Sequence, residues 1–316
     1  MDIKNNIKNN IKNDINWLKE KKLVTELGTP DKLNTRNELR SYITQVGIGF
    51  QLGDEVSDGG GSGDEGGSSD NYRSQYLTFE ALEDGTFSFS KDGLSYSLDN
   101  GASWNTLSAN TNITVSNGDK VLFKGEYTNT TASIGQFKMV SKFNISGNIM
   151  SLLFGDNFVD KTDLTGYDNA FEYIFQKTSV VDASKLVLPA TTLAEWCYGR
   201  MFHSCTSLTT APELPATELV ANCYNSMFNG CTSLTTAPVL PATTLATNCY
   251  NSMFSGCSNL SYIKAMFIIT PSTSYTRDWV SGVSNTGTFV KNAAATWDVT
   301  GDSGIPTGWT VETATA

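Results

Sequence analysis

The amino-acid sequence predicts a multidomain chain with an N-terminal α-helical anchor, an all-β sandwich-like module and a short α/β repeat solenoid closed by a C-terminal cap. Three periodicities predict it. Apolar residues recur every four positions at the start, every two in the middle, and in 26-residue blocks thereafter. The expected divisions are 1–53 for the anchor, 54–70 for a linker, 71–165 for the β module, 166–266 for the solenoid and 267–316 for the cap.

In the first segment Ile3, Ile7, Ile11 and Ile15, followed by Leu18, fall along one slowly drifting helical face. Leu33, Leu39, Tyr42, Ile43 and Val46 suggest a second helix. Ile-rich seams favour trimers or higher oligomers, so this head is expected to anchor and to oligomerise. Residues 1–45 hold nine Lys or Arg against six Asp or Glu, a local +3 in a chain of net charge −10. The tract from Asp54 to Asp70 is almost wholly Gly, Ser, Asp and Glu. Such sequence buries no apolar area and repels itself, which predicts a flexible, extended tether. The spacing of Asp54, Asp58 and Asp64 does not fit a calcium loop.

From Tyr72 to Phe158 the period becomes two. Phe87 and Phe89, then Leu94, Tyr96 and Leu98, alternate with polar residues, and Asp92-Gly93 and Asn100-Gly101 supply tight hairpin turns. Ser97, Asp99, Gly101, Ser103 and Trp104 resemble the Asp box, S-x-D-x-G-x-[ST]-W, of sialidases. That motif stabilises a hairpin and is not catalytic, and sialidase chemistry needs several arginines where this module has Arg73 alone.

The 26-residue block decides the class. It carries Cys197, Cys223 and Cys249, then Cys205, Cys231 and Cys257, together with matching Met, Phe, Leu and Pro positions. A degenerate earlier unit, with Ala170-Phe171 where the others have Cys-Tyr, needs one extra residue to align. A period in the twenties predicts a solenoid of the leucine-rich kind. Leu193, Cys197, Met201 and Cys205 step by four, and Ala194, Tyr198 and Phe202 form an adjacent row, which predicts a helix with a wide apolar face. The segment SLTTAPELPAT then predicts a short strand and a proline-bounded return. In the tail, Trp279, Phe289, Trp297 and Trp309 are expected to cover the open end.

CYNSMFNGCTSLTTAPVLPATTLA resembles the BspA-type leucine-rich repeats of surface proteins of Bacteroidales and of proteins of their phages. The resemblance spans about a hundred residues, centred on M-F-x-G-C-T-S-L, and departs from it at Ser204, which stands where the motif has Gly. It implies protein or glycan binding and adhesion rather than a reaction.

Composition narrows the function further. A pI near 4.6 with five Arg argues against nucleic-acid binding. One His excludes His-pair metal sites, and no metal or other cofactor is expected. No apolar run approaches the roughly 18 residues of a membrane span, and no signal peptide is expected. The six Cys occupy apolar repeat positions, which predicts buried free thiols. His203 becomes Asn229 and Ser255 in the later units, which argues against a Cys–His nucleophile. By the same comparison, Trp196, Arg200 and His203 stand where the other units have small polar residues, and helical spacing would put all three on one exposed face as a candidate partner contact.

Taken with the basic head, the acidic tether and the absence of an export signal, the resemblance to adhesive repeats implies a non-enzymatic virion structural protein, a phage head fibre or capsid decoration, as the expected function. Its N-terminus would dock on a capsid or other virion protein, as a trimer. Its repeats would face a host surface protein or glycan. A cell-surface adhesin of Bacteroidales is the alternative.

Overall fold

The alternating apolar residues that open the β module fold as strands, because one face of each strand can be buried. The computed structural model describes residues 72–128 and 130–314, which lie in one compact unit. Ile3, Ile7, Ile11, Ile15 and Leu18, and the linker, lie outside the described residues.

β1 (Leu77–Ala81) is flanked by β6 (Lys120–Gly125) and β8 (Phe143–Asn148), both antiparallel. With β3 (Leu94–Ser97) and β4 (Asn105–Leu107) beyond β6, these strands form one sheet. A second sheet is built from β2 (Gly85–Phe89) between β5 (Ile113–Val115) and β7 (Phe137–Met139). Phe79 joins the two layers: its ring lies 5.6 Å from Phe87, 4.7 Å from Phe123 and 4.7 Å from Phe137. The helix α1 (Ser151–Phe154) follows, held by Ser151, whose hydroxyl donates to the Phe123 carbonyl at 3.0 Å and accepts from the Leu77 amide at 3.0 Å.

Among the described residues α1 is the one α-helix, and this corrects the expected α/β solenoid. The segment from Ala194 to Cys205 is not a helix but a ribbon of overlapping turns. Amides of Cys197, Gly199, Met201, His203 and Cys205 each bond the carbonyl three residues back. The intervening amides leave the ribbon altogether: Tyr198, Arg200, Phe202 and Ser204 donate to Cys223, Asn225, Met227 and Asn229 of the next coil.

The reason is local. Trp196, Arg200 and Ser204 have positive φ, as do Asn222, Ser226 and Gly230, and Asn248, Ser252 and Gly256. A left-handed residue every fourth position is incompatible with an α-helix. It is compatible with a chain that completes one inward-facing set in four residues rather than 3.6. The apolar stepping by fours thus marked the ribbon's own period.

The short strand expected in SLTTAPELPAT does not form: Thr210 makes a single bridge there, and before residue 262 only the degenerate unit's return segment is a full strand. β9 (Val180–Val187) lies parallel to β8 and so extends the first sheet into the repeats. Single bridges at Asp182–Thr210, and then at Thr236–Tyr262 and Leu240–Ala265, carry the ladder onward, with no bridge between Thr210 and Thr236 among the described residues. It ends in β10 (Tyr262–Ala265), β11 (Thr288–Lys291) and β12 (Thr310–Thr313), all parallel.

Between ribbon and ladder the interior is a set of stacks. Phe171, Tyr198, Tyr224 and Tyr250 follow one another at 5.7, 5.8 and 6.1 Å, and Phe202, Phe228 and Phe254 at 5.6 and 5.8 Å. The six cysteines are buried free thiols. Those of Cys205, Cys231 and Cys257 donate to the carbonyls of Phe175, Phe202 and Phe228 in the preceding coil, at 3.0 to 3.1 Å.

Beyond residue 266 the coiling goes on: the amides of Ser252, Phe254 and Gly256 bond Arg277, Trp279 and Ser281. Trp279 is fully buried and donates through Nε1 to the Gly304 carbonyl at 2.8 Å. Phe289, Trp297 and Trp309 are buried beside it, in an apolar cluster that runs unbroken back to Leu77.

Candidate functional site

The fold decides what Trp196, Arg200 and His203 can do. Trp196 and Arg200 occupy successive left-handed positions of one ribbon, at φ 57° and 54°. A large side chain at such a position carries strain that Asn or Gly would avoid, and the next two coils place Asn222 and Asn248 opposite Trp196. Gly199 makes room for the indole, since a Cβ there would meet Trp196 Cε3 at 2.7 Å. The later coils have Asn225 and Asn251 at that place, so the first full unit is shaped around its Trp.

Arg200 lies between two rings, 4.9 Å from the Trp196 centroid and 5.1 Å from that of Tyr173. It forms an ion pair with Glu172 Oε1 at 3.1 Å and donates to the Tyr173 hydroxyl. Burial raises the Glu172 carboxyl above its ordinary value, and the Arg200 charge opposes that rise. The guanidinium therefore bridges two coils, within cation–π reach of two rings and paired with a carboxylate.

His203 stands apart from this cluster in its bonding: Nδ1 lies 2.9 Å from the Ser204 hydroxyl. Burial, then the charges of Arg200 and Lys177, lowers its pKa. Cys205 is adjacent in sequence but faces the interior, and burial pushes its thiol up to about 11. The two do not form a nucleophile–base pair.

The structure thus brings Trp196 and Arg200 together and adds Glu172 and Tyr173, which sequence reasoning missed. The signal was present. Tyr173 and Glu172 precede Arg200 by 27 and 28 residues, one repeat plus the extra residue of the degenerate unit and its neighbour.

The Asp-box residues form the expected capped turn. The Gly101 amide donates to the Ser97 hydroxyl at 2.8 Å, and the Ser103 amide to Asp99 Oδ1 at 2.8 Å. Hydrogen bonds, first from the Ser103 hydroxyl, pull the Asp99 carboxyl down to about 2. Trp104 packs edge-on to Tyr76 at 4.9 Å under the Lys124 ammonium, itself paired with Asp156 at 2.7 Å. All of these groups are engaged in holding the turn against β6 and the segment after α1.

Among the described residues no three metal-ligating side chains cluster, and no helix is long and apolar enough to cross a membrane. No protein family, curated protein or solved structure matches the chain.

Proposed function

We propose that this chain is a non-enzymatic virion structural protein, a phage head fibre or capsid decoration that holds to the particle by its N-terminus and presents its repeat body to a host surface protein or glycan. The observation that carries the reading is the Trp196–Arg200–Tyr173–Glu172 cluster. It joins Trp196 and Arg200 of the first full unit to Tyr173 and Glu172 of the unit before, and it sets large side chains at left-handed positions, at the cost of backbone strain, where the later units have Asn and Ser. Strain of that kind, about 1–3 kcal/mol per site, persists where it serves a purpose, and a preordered aromatic–Arg surface is what contact sites are made of. Display on a particle would turn weak individual contacts into firm attachment.

The test pairs two measurements. Purified phage particles are analysed for the chain by mass spectrometry, and labelled full-length protein is titrated onto Bacteroidales cells. Presence in particles, with cell binding weakened roughly tenfold by Trp196→Ala, is expected. Cell binding by a chain that is absent from every particle preparation would hand the function to the adhesin alternative. The trimer is tested by light scattering on the full chain and on a chain beginning at Asn71: a threefold mass that collapses on truncation is expected, and a monomer in both cases rejects it.

A further inference from the structure

The 26-residue period also stacks prolines. Pro212 and Pro215 of one return segment face Pro238 and Pro241 of the next across a groove of about 300 Å3. Leu214 lies in its wall, and Val239 stands 48% exposed beside it. Glu213 and Pro215 also belong to a second, smaller cavity of about 90 Å3, which gathers Tyr72, Arg73 and Lys185. The Lys185 ammonium lies 5.8 Å from the Tyr72 ring. The two hollows therefore adjoin at Glu213 and Pro215, one lined by prolines, Leu214 and Val239, the other by Arg73, Lys185 and Tyr72.

Two cations in one cavity stand out on a chain of net charge −10 with five Arg in all. They fit a carboxylate or sulfate. The prolines contribute no N–H, so an extended peptide laid along them would gain few main-chain hydrogen bonds. They do offer fixed apolar walls that cost little to order around a ring or a methyl group. Glu213, between the two ends, accepts hydroxyl hydrogen bonds and repels a second nearby anion. A ligand with one acid group per two or so sugars suits this layout better than a dense polyanion.

We propose that this surface binds an acidic glycan, its carboxylate at Arg73 and Lys185 and an apolar substituent of the neighbouring sugar in the proline groove. The inference rests on the host-surface reading above and names the ligand class.

Hyaluronan oligosaccharides, which alternate a carboxylate with an N-acetyl group, are the probe, with dextran as the neutral control and polyglutamate as the peptide control. Calorimetric titration of the full-length chain is expected to show binding of hyaluronan alone. Lys185→Glu and Val239→Glu, both at exposed positions, should each weaken it roughly tenfold without altering thermal unfolding. Undiminished binding by both variants would place the ligand elsewhere and overturn the site. Tighter binding of polyglutamate, or equal binding of dextran, would overturn the ligand class. A chain that attaches to host cells but takes up no hyaluronan defeats this proposal alone; one that does neither defeats the host-surface reading with it.

Discussion

Each cysteine of the repeat is fully buried in the interior of the coils, and burial governs its chemistry. The thiols of Cys197, Cys249 and Cys257 are pushed up to about 12, first by desolvation. The nucleophile is the thiolate, so at neutral pH these groups are inert. Native protein is expected to react with fewer than one equivalent of a thiol-specific disulfide reagent, and denatured protein with six; rapid native labelling would show that the coils open. Arg200 gives a second residue-scale prediction. Glu172 has a raised folded pKa, so its ionisation favours the unfolded state as pH climbs through and beyond its ordinary value. Removing the guanidinium raises it further. Arg200→Ala should therefore destabilise by about 1–2 kcal/mol at pH 7, allowing for the solvent that reaches the pair, and by clearly less at pH 4. Denaturant unfolding at the two pH values checks it, and an equal loss at both would mean that Arg200 acts through packing alone.

At the scale of the element, the Asp-box turn offers the reverse sign. Asp99 has a folded pKa lowered from an ordinary 3.8 to about 2, so the stability it contributes is complete above the ordinary value and is lost as pH falls toward 2. Melting temperatures of the native chain and of Asp99→Asn should differ at pH 7 and converge as the pH approaches 2; a constant gap would deny the carboxylate its role. The strands and this turn were legible because their signals are local: alternation with period two, and Gly or Asn where positive φ is required. The ribbon was not, for an instructive reason. Four and 3.6 are close over three turns, and the apolar rows of Leu193, Cys197, Met201 and Cys205 satisfy either. What separates them is the outer row. Asn248, Ser252 and Gly256 repeat the residues that tolerate left-handed backbone, and no helix asks for them at every fourth place. The Trp196 site was half legible: its members on one unit stood out by internal comparison, whereas Glu172 and Tyr173 were hidden by the extra residue of the degenerate coil. His203 was grouped with them by helical spacing that the ribbon does not have.

Over the whole molecule, one apolar cluster and a shared β8–β9 edge tie the first sheet to the coils. Unfolding of the described body should consequently be a single transition, seen at the same midpoint by far-ultraviolet dichroism and by tryptophan fluorescence, to which the buried Trp279 contributes. The dichroism spectrum should be that of a β-rich chain. Phe143→Ala, far from that Trp in sequence, should lower both midpoints together through a loss of about 3–5 kcal/mol; two separated transitions would divide the body into independent parts.

The backbone hydrogen bonds between ribbons have one direction throughout. In every coil from Asn169 to Gly256 the amide belongs to the earlier coil and the carbonyl to the later one. Peptide dipoles aligned in that way add, as they do in a helix, but with the opposite polarity: the positive pole lies toward the C-terminal end of the stack and the negative pole toward the first coil. Asp278 and Asp302 belong to the turns that close the positive end. Lengthening the stack by whole units would leave the two poles unchanged and carry them farther apart, so the repeat sets the separation of two fixed fields as well as the extent of a surface.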